Sequence, residues 1–139
     1  MATLAIAPGQ AQVPGGPGSE LELQVEGLRN AKGMIRLCLT RDARHFPDCA
    51  GDPQAIKRSA AAGPAGIVLS GLSPGRYALS LIHDENGNGK LDTLLGMPKE
   101  GFGFSRNPAI GFGPPKFADV LSDVGPGHSR WNIRVRYIL

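Results

Sequence analysis

The chain has few aromatic residues and no long apolar run. Phe, Trp and Tyr make up 6% of its 139 residues, with one Trp among them. No apolar stretch approaches the roughly 18–20 residues that a membrane-spanning helix needs, so we expect no membrane span. The 15 Lys and Arg residues lie scattered from Arg29 to Arg136 without forming a run, and therefore we expect no nucleic-acid binding either.

Glycine and proline, by contrast, are abundant, with 20 and 12 copies. Such a composition disfavours long helices and favours short strands joined by turns. Apolar residues alternate with polar ones in the segments that begin at Glu20, Met34, Arg76 and Arg130, which is the period of a half-buried strand. About seven such strands predict an all-β, antiparallel β-sandwich. Residues 94–117, rich in Gly, Pro and Phe, predict one long loop.

Two segments are less regular. Residues 55–62 are rich in alanine and end at Gly63-Pro64, which predicts a helical turn or two. Residues 119–124 predict a weak strand.

The first and last predicted strands carry opposite charges on their outward faces. Glu20, Glu22 and Glu26 face outward on the first, and Arg130, Arg134 and Arg136 on the last. Opposite charges across a strand pair stabilise it by about 0.2–1 kcal/mol each. We therefore predict that these two strands are neighbours or near neighbours.

The amino-terminal residues 1–19 (MATLAIAPGQAQVPGGPGS) differ from the rest of the chain. They lack a basic segment, and the apolar run Ala2–Ala7 is shorter than that of a secretory signal. Pro14–Gly18 cannot form a strand ladder. We interpret residues 1–19 as a disordered tail or a signal-peptide remnant, and residues 20–139 as a single domain.

Cys38 and Cys49 are the only cysteines. Their spacing is too wide for a redox Cys-x-x-Cys motif, and two thiols without nearby His ligands make a poor zinc site. A disulfide between them is the preferred interpretation, with two buried free thiols as the alternative. A disulfide indicates a periplasmic or secreted protein, since such bonds persist in oxidising compartments.

The segment His83–Asp92 (HDENGNGKLD) carries the strongest chemical signal. Side-chain oxygens recur along it with glycines between them, and Ca²⁺ prefers six to eight oxygen ligands. The predicted ligands are the side chains of Asp84, Asn86, Asn88 and Asp92 and the backbone carbonyl of Lys90. Leu95 stands where a calcium hand has its bidentate Glu, so we expect Glu100 to supply that carboxylate by folding back over the loop.

The same segment also predicts a plain hairpin turn. Asn-Gly pairs favour such turns because both residues tolerate positive φ, and two pairs occur in tandem here. Calcium binding and a metal-free polar turn are therefore both open interpretations of the loop.

Four further residues form a candidate binding surface: His83, Phe102, Phe104 and Phe112. The alternative for the phenylalanines is that they fill one end of the sandwich under the long loop, as large aromatic side chains usually pack inward. His83 ends a predicted core strand beside two acids. A catalytic role needs a reacting group within hydrogen-bond reach, and no nucleophile motif accompanies His83, so a His bonded to the adjacent loop is preferred.

Two motifs resemble known families. Gly71–Leu79 (GLSPGRYAL) resembles the turn and strand of prealbumin-like and collagen-adhesin B-type sandwich modules. His83–Asn107 (HDENGNGKLDTLLGMPKEGFGFSRN) is similar to the hallmark of the bacterial domain-of-unknown-function family 2141. The second resemblance covers the chain from about Glu20 to Leu139. It implies an immunoglobulin-like or prealbumin-like sandwich in a secreted bacterial protein and no established activity.

Together these observations predict an exported bacterial module with an accessory or binding role and no enzymatic activity. Its partner would be a cell-surface or periplasmic protein or a glycan. The alternatives are a small hydrolase or ligand-processing enzyme that uses His83 and nearby acids, and a purely structural domain with a metal-free loop.

Overall fold

Strands dominate the part of the chain that the computed structural model describes, namely residues 18–64, 66–89, 93–94, 97–111 and 113–139. In chain order the strands are β1 (Ser19–Glu26), β2 (Met34–Thr40), β3 (Ile56–Ala61), β4 (Ile67–Leu72), β5 (Gly75–Asp84), β6 (Thr93–Leu94), β7 (Met97–Pro98), β8 (Gly101–Phe104), β9 (Ser122–Val124) and β10 (His128–Arg134). The helical segments are a 3-10 turn at Ala43–His45 and the one-turn helix α1 (Phe117–Val120). The prediction of an all-β sandwich is confirmed.

Two sheets form the sandwich, and a third, two-stranded ladder pairs β6 with β7. Sheet A has the order β10-β1-β4. Sheet B has the order β3-β2-β5-β8, and β9 pairs with the start of β5. All these pairs are antiparallel except β1 with β10, which is parallel.

The core lies between the two sheets, as the period-two alternation predicts. Leu21 and Leu23 of β1 are fully buried, whereas Glu20, which points to the opposite side of the same strand, is exposed. The same rule places Leu79 and Leu81 of β5 inward. The cluster is completed by Val25, Ile35, Leu37, Leu39, Leu69, Leu72, Tyr77, Val124, Ile133 and Val135.

The prediction that the first and last strands are neighbours is confirmed. In the parallel pair β1–β10, Glu22 lies opposite Arg130 and Glu26 opposite Arg134. The Arg130 guanidinium lies 3.2 Å from the Glu22 carboxylate, and the corresponding distance at Glu26 is 3.5 Å. The register that buries the apolar face of β1 therefore also places its glutamates beside the arginines of β10.

The helical prediction for residues 55–62 is wrong, because Ile56–Ala61 forms the edge strand β3. It pairs with β2 over its whole length, from Ile56 opposite Leu39 to Ala61 opposite Met34. Ladder hydrogen bonds to a neighbouring strand outweigh the weak helix preference of a short alanine-rich segment. Likewise, residues 119–124 form the end of α1 and the short β9 instead of one strand.

The chain leaves sheet A after β10 and crosses to the edge of sheet B. There Phe102 and Arg136 exchange both backbone hydrogen bonds, with N–O distances of 3.0 and 2.9 Å. This bridge closes one side of the sandwich. It also brings Tyr137 next to the end of β5, where the acidic loop begins.

Cys38 and Cys49 form a disulfide, which confirms the preferred interpretation of the two cysteines. Their Cα atoms are 6.2 Å apart. Cys38 lies on the outer face of sheet B, so the bond fixes the loop after β2 against that face. Among the described residues, no helix is long and apolar enough to cross a membrane.

Candidate functional site

His83 and Asp84 end β5, the central strand of sheet B, and both are completely buried. The two ring nitrogens of His83 are engaged: Nδ1 lies 2.8 Å from the Tyr137 hydroxyl and Nε2 lies 2.8 Å from the Lys32 carbonyl oxygen. A carbonyl only accepts, so Nε2 carries the proton donated to Lys32. The imidazole therefore links β5 to the turn before β2 and to the carboxy-terminal segment.

The Asp84 carboxylate is the acceptor around which the loop folds. Arg36 donates to its Oδ2 at 2.6 Å, and the backbone N–H groups of Gly89 and Asn88 donate to its two oxygens at 2.8 and 3.2 Å. Burial by itself raises the pKa of Asp84, but the Arg36 guanidinium and these N–H groups outweigh it and hold that pKa below its usual range. The carboxylate is thus ionised in its buried position.

Glu100 reaches the same loop from the other side. Its Oε2 accepts hydrogen bonds from the backbone N–H groups of Glu85 at 2.7 Å and Asn86 at 3.4 Å, and the residue is buried. Asn86 Oδ1 in turn accepts from the N–H of Asn88 at 3.2 Å. The structure therefore brings the Asp84 and Glu100 carboxylates to the same short turn, where each accepts from its backbone N–H groups.

Three of the predicted site residues, Lys90, Asp92 and Phe112, lie outside the described residues. Within the described part of the chain, no three His, Cys, Asp or Glu side chains are arranged to hold a metal ion. Of the predicted oxygen ligands, Asp84, Asn86, Asn88 and Glu100 are the ones whose positions the structure gives.

A second set of contacts around the loop was not predicted from the sequence. Arg29 donates to both oxygens of the Glu85 carboxylate, at 2.6 and 3.2 Å, and its guanidinium lies 4.4 Å from the centre of the Tyr137 ring. It also donates to the carbonyl oxygens of Leu139 and Lys99, at 2.6 and 3.0 Å. Arg29 therefore joins the turn before β2, the acidic loop and the carboxy-terminal segment.

The Glu85 side chain is mostly covered, although the residue belongs to the loop. Its side chain is 18% exposed, and it also accepts from the Asn30 amide at 2.7 Å. The bond from Arg29, opposed by burial and helped by Asn30, lowers the pKa of Glu85 to about 2. No local pattern signals this contact, because Arg29 and Glu85 are 56 positions apart.

Gly33 lets the turn before β2 approach the loop closely. Its φ is +68°, and a Cβ atom there would overlap the carbonyl oxygens of Asp84 and Glu85. A larger residue at this position would push the turn and the loop apart, which would also disturb the adjacent His83 contact to Lys32.

The outer face of sheet B carries a cleft of about 850 Å³. The strand register places two cross-strand rows on this face: Lys57, Cys38, Ser80 and Phe104 in one, and Ser59, Arg36, Ile82 and Phe102 in the other. Further walls come from Pro47, Pro98, Ile110, Pro114 and Ile138. The acidic loop contributes Gly89 at one end, so the cleft and the loop are neighbours.

Phe102 and Phe104 belong to a small apolar cluster on this same face and are 7% and 9% exposed. The ring of Phe46, from the disulfide-bonded loop, packs at 5.8 Å from Phe104 and at 5.8 Å from Phe117. Edges of Phe102 and Phe104 line the cleft, while most of each ring is covered. His83 lies on the opposite, inner face of the sheet and does not contribute to this surface.

Comparisons with known proteins give a family for the chain. No curated protein and no solved structure matches it. Residues 23–132 match a family described as an uncharacterized protein conserved in bacteria (DUF2141). The match runs from within β1 to within β10 and includes the acidic loop, both cysteines of the disulfide and the lining of the cleft apart from Ile138. The chain therefore belongs to this DUF2141 family.

Proposed function

We propose that the protein is an exported bacterial module with an accessory or binding role, and that its loop of residues 84–92 binds calcium. The module acts on no substrate of its own. Its partner is a cell-surface or periplasmic protein or a glycan, and calcium rigidifies the loop beside the cleft.

The observation that carries this proposal is the convergence of the Asp84 and Glu100 carboxylates on one turn of backbone. Carboxylate and amide oxygens are the ligands that Ca²⁺ prefers. Asn86 and Asn88 lie on the same turn, and the Lys90 carbonyl and Asp92 follow it in the chain. Mg²⁺ fits less well, because it demands tight octahedral geometry and retains its waters.

Arg36 limits the affinity that this loop can reach. Its guanidinium donates to Asp84 Oδ2 at 2.6 Å and so neutralises one of the two carboxylates. A bound cation would have to share Asp84 with this positive charge. We therefore expect a weak site of the kind found in extracellular modules, with a Kd of about 10⁻⁴–10⁻³ M.

One observation supports the proposed lack of catalysis, and another supports the proposed export. His83 is completely buried with both ring nitrogens engaged, which leaves it no position for a substrate. The Cys38–Cys49 disulfide favours an oxidising compartment such as the periplasm.

Thermal melting with calcium and with chelator tests the calcium site. At about 5 mM Ca²⁺ and a Kd near 10⁻⁴ M, mass action stabilises the fold by about 2.3 kcal/mol. For a domain of this size, the melting temperature then rises by roughly 7–12 °C. Asp92→Ala should abolish the rise. Asp123→Ala removes an equal charge at an exposed position outside the loop and should preserve it.

The second candidate is a metal-free loop, which one observation favours. The backbone N–H groups of Glu85, Asn88 and Gly89 already find acceptors in Asp84 and Glu100. In that case the two carboxylates serve only as turn-forming acceptors. Identical melting curves in calcium and in chelator would establish this candidate and exclude the calcium site.

A further inference from the structure

The cleft on the outer face of sheet B is amphipathic. Its floor is apolar where Ile82, Phe102 and Phe104 stand in the two cross-strand rows, and Ile110 and Pro114 extend this surface. Its opposite edge is formed by β3, which presents Lys57 and Ser59. A volume of about 850 Å³ falls in the range of about 300–1,000 Å³ that is typical of small-molecule sites.

The charge along this edge is positive. Three basic residues, Arg36, Lys57 and Arg58, line the cleft, against the single acidic residue Asp48. Arg36 is compensated by Asp84, which accepts from its Nε at 2.6 Å. Lys57 is exposed, and among the described residues its ammonium group makes no ion pair. Arg58 makes no ion pair among the described residues either, but the register places it opposite the inward-facing Leu37, on the other face of β3. The uncompensated charge on the outer face therefore stands at Lys57, at the end of the row that leads to Phe104.

We propose that this cleft binds a monomeric long-chain carboxylate, with the alkyl chain across Ile82 and the two phenylalanines and the carboxylate at Lys57. The complementarity has two parts. The apolar floor is removed from water when the chain covers it, at roughly 25 cal/mol per Å², and an ammonium–carboxylate bond fixes the head group.

One end of the cleft is held by contacts that do not involve the acidic loop. The Cys38–Cys49 disulfide and a hydrogen bond from Ser80 Oγ to the Pro47 carbonyl oxygen fix the loop over one end. Phe46 anchors the same loop between Phe104 and Phe117. Among the described residues, the acidic loop adds Gly89 alone to the lining. We therefore expect the cleft to bind its ligand whether or not residues 84–92 hold calcium.

The test is displacement of cis-parinarate fluorescence from the full, oxidised chain by dodecanoate below its micelle concentration. Chelator is present throughout, because calcium precipitates long-chain carboxylates, and so the result is independent of the calcium proposal. Dodecanol and dodecyltrimethylammonium have the same alkyl chain with a neutral and a cationic head group. We expect each of them to bind at least about tenfold more weakly than dodecanoate.

Two charge reversals provide the matched variants. Lys57→Glu should weaken dodecanoate binding by at least about tenfold, whereas Lys116→Glu, an exposed lysine outside the cleft, should change it by less than about twofold. Both positions are on the surface, and melting curves verify that each variant folds. Equal affinity of the two variants, or of dodecanoate and dodecanol for the natural chain, would overturn the proposal.

Backbone amide NMR shifts give the location of binding. Dodecanoate should shift the amides of β3 and β8 and those of Ile110, Gly111 and Gly113. Exposed Val68 on β4 offers a comparison, since it is an apolar side chain 53% exposed on the other sheet. Shifts confined to the surroundings of Val68, or binding to anionic vesicles without binding of monomeric dodecanoate, would contradict a carboxylate site in the cleft.

Discussion

Replacing Arg29 by Ala removes the side chain that ties three separate segments together. The guanidinium makes a two-pronged contact with Glu85, donates to the carbonyl oxygens of Lys99 and Leu139, and lies over Tyr137. A hydrogen bond to a charged group contributes about 1.5–3 kcal/mol and a neutral one about 0.5–1.5. A cation–π contact at an exposed site adds about 0.5–1 kcal/mol.

These contributions do not simply add, and solvent reduces them, because the Arg29 side chain is 39% exposed. We expect a net loss of about 2–3 kcal/mol for Arg29→Ala. For a domain of this size the melting temperature should fall by roughly 7–12 °C. The melting temperature of Arg29→Lys should lie between those of the natural chain and Arg29→Ala, since an ammonium group keeps the charge but lacks the planar fork of the guanidinium.

Arg76→Ala is the matched control. Arg76 also pairs with a carboxylate, at 3.5 Å from Asp123, but the two side chains are 64% and 83% exposed. Such surface pairs contribute about 0–1 kcal/mol, so this variant should melt within roughly 4 °C of the natural chain. Arg29→Ala melting within about 2 °C of Arg76→Ala would refute the account of Arg29.

The pH dependence provides a second check on Arg29. Arg29 lowers the pKa of Glu85 to about 2 in the folded protein, against about 4.3–4.5 in the unfolded chain. The stability from this pair is therefore fully present above about pH 5 and is lost as the pH falls toward 2. The difference in melting temperature between the natural chain and Arg29→Ala should narrow over that interval. A difference that stays constant from neutral pH to about pH 2.5 would assign the effect to contacts other than Glu85.

Three further predictions concern packing, hydrogen bonding and the disulfide. Gly101→Ala places a Cβ atom 2.5 Å from two side chains of the carboxy-terminal segment and should lower the free energy of unfolding by about 1–3 kcal/mol. Gly125→Ala, whose Cβ atom would have nothing within 4 Å, should leave the melting temperature nearly unchanged. Equal melting temperatures of the two variants would contradict the close contact at Gly101. Tyr137→Phe removes the hydroxyl bonded to the buried imidazole and should cost about 1–3 kcal/mol in denaturant unfolding, so an unchanged unfolding midpoint would show that the imidazole has another partner. Replacing both Cys38 and Cys49 by Ser should cost about 3 kcal/mol, measured against the oxidised chain; a reductant should reproduce that loss in the natural chain and leave the variant unaffected.

Local pattern was sufficient for much of the fold. The alternation at Leu21, Leu23 and Val25 predicts a strand buried on one face, because successive side chains of a strand point to opposite sides. It failed at Ile56–Ala61, where an alanine-rich segment has no alternation of its own. That segment is a strand because β2 offers it a ladder, and a short sequence carries no information about the strand that will lie beside it.

The sequence by itself determined the all-β class, the opposed charges of the first and last strands, the disulfide and the oxygen-rich loop. All four depend on residue type and on spacing over a few positions. Only the tertiary structure decided three contacts of the loop. Asp84 pairs with Arg36, and Glu85 pairs with Arg29. The buried His83 ring forms a hydrogen bond with the Tyr137 hydroxyl. Their partners are 48 to 56 positions away in the chain. The cleft also depends on the tertiary structure, because its rows of side chains form only when four strands pair in their register.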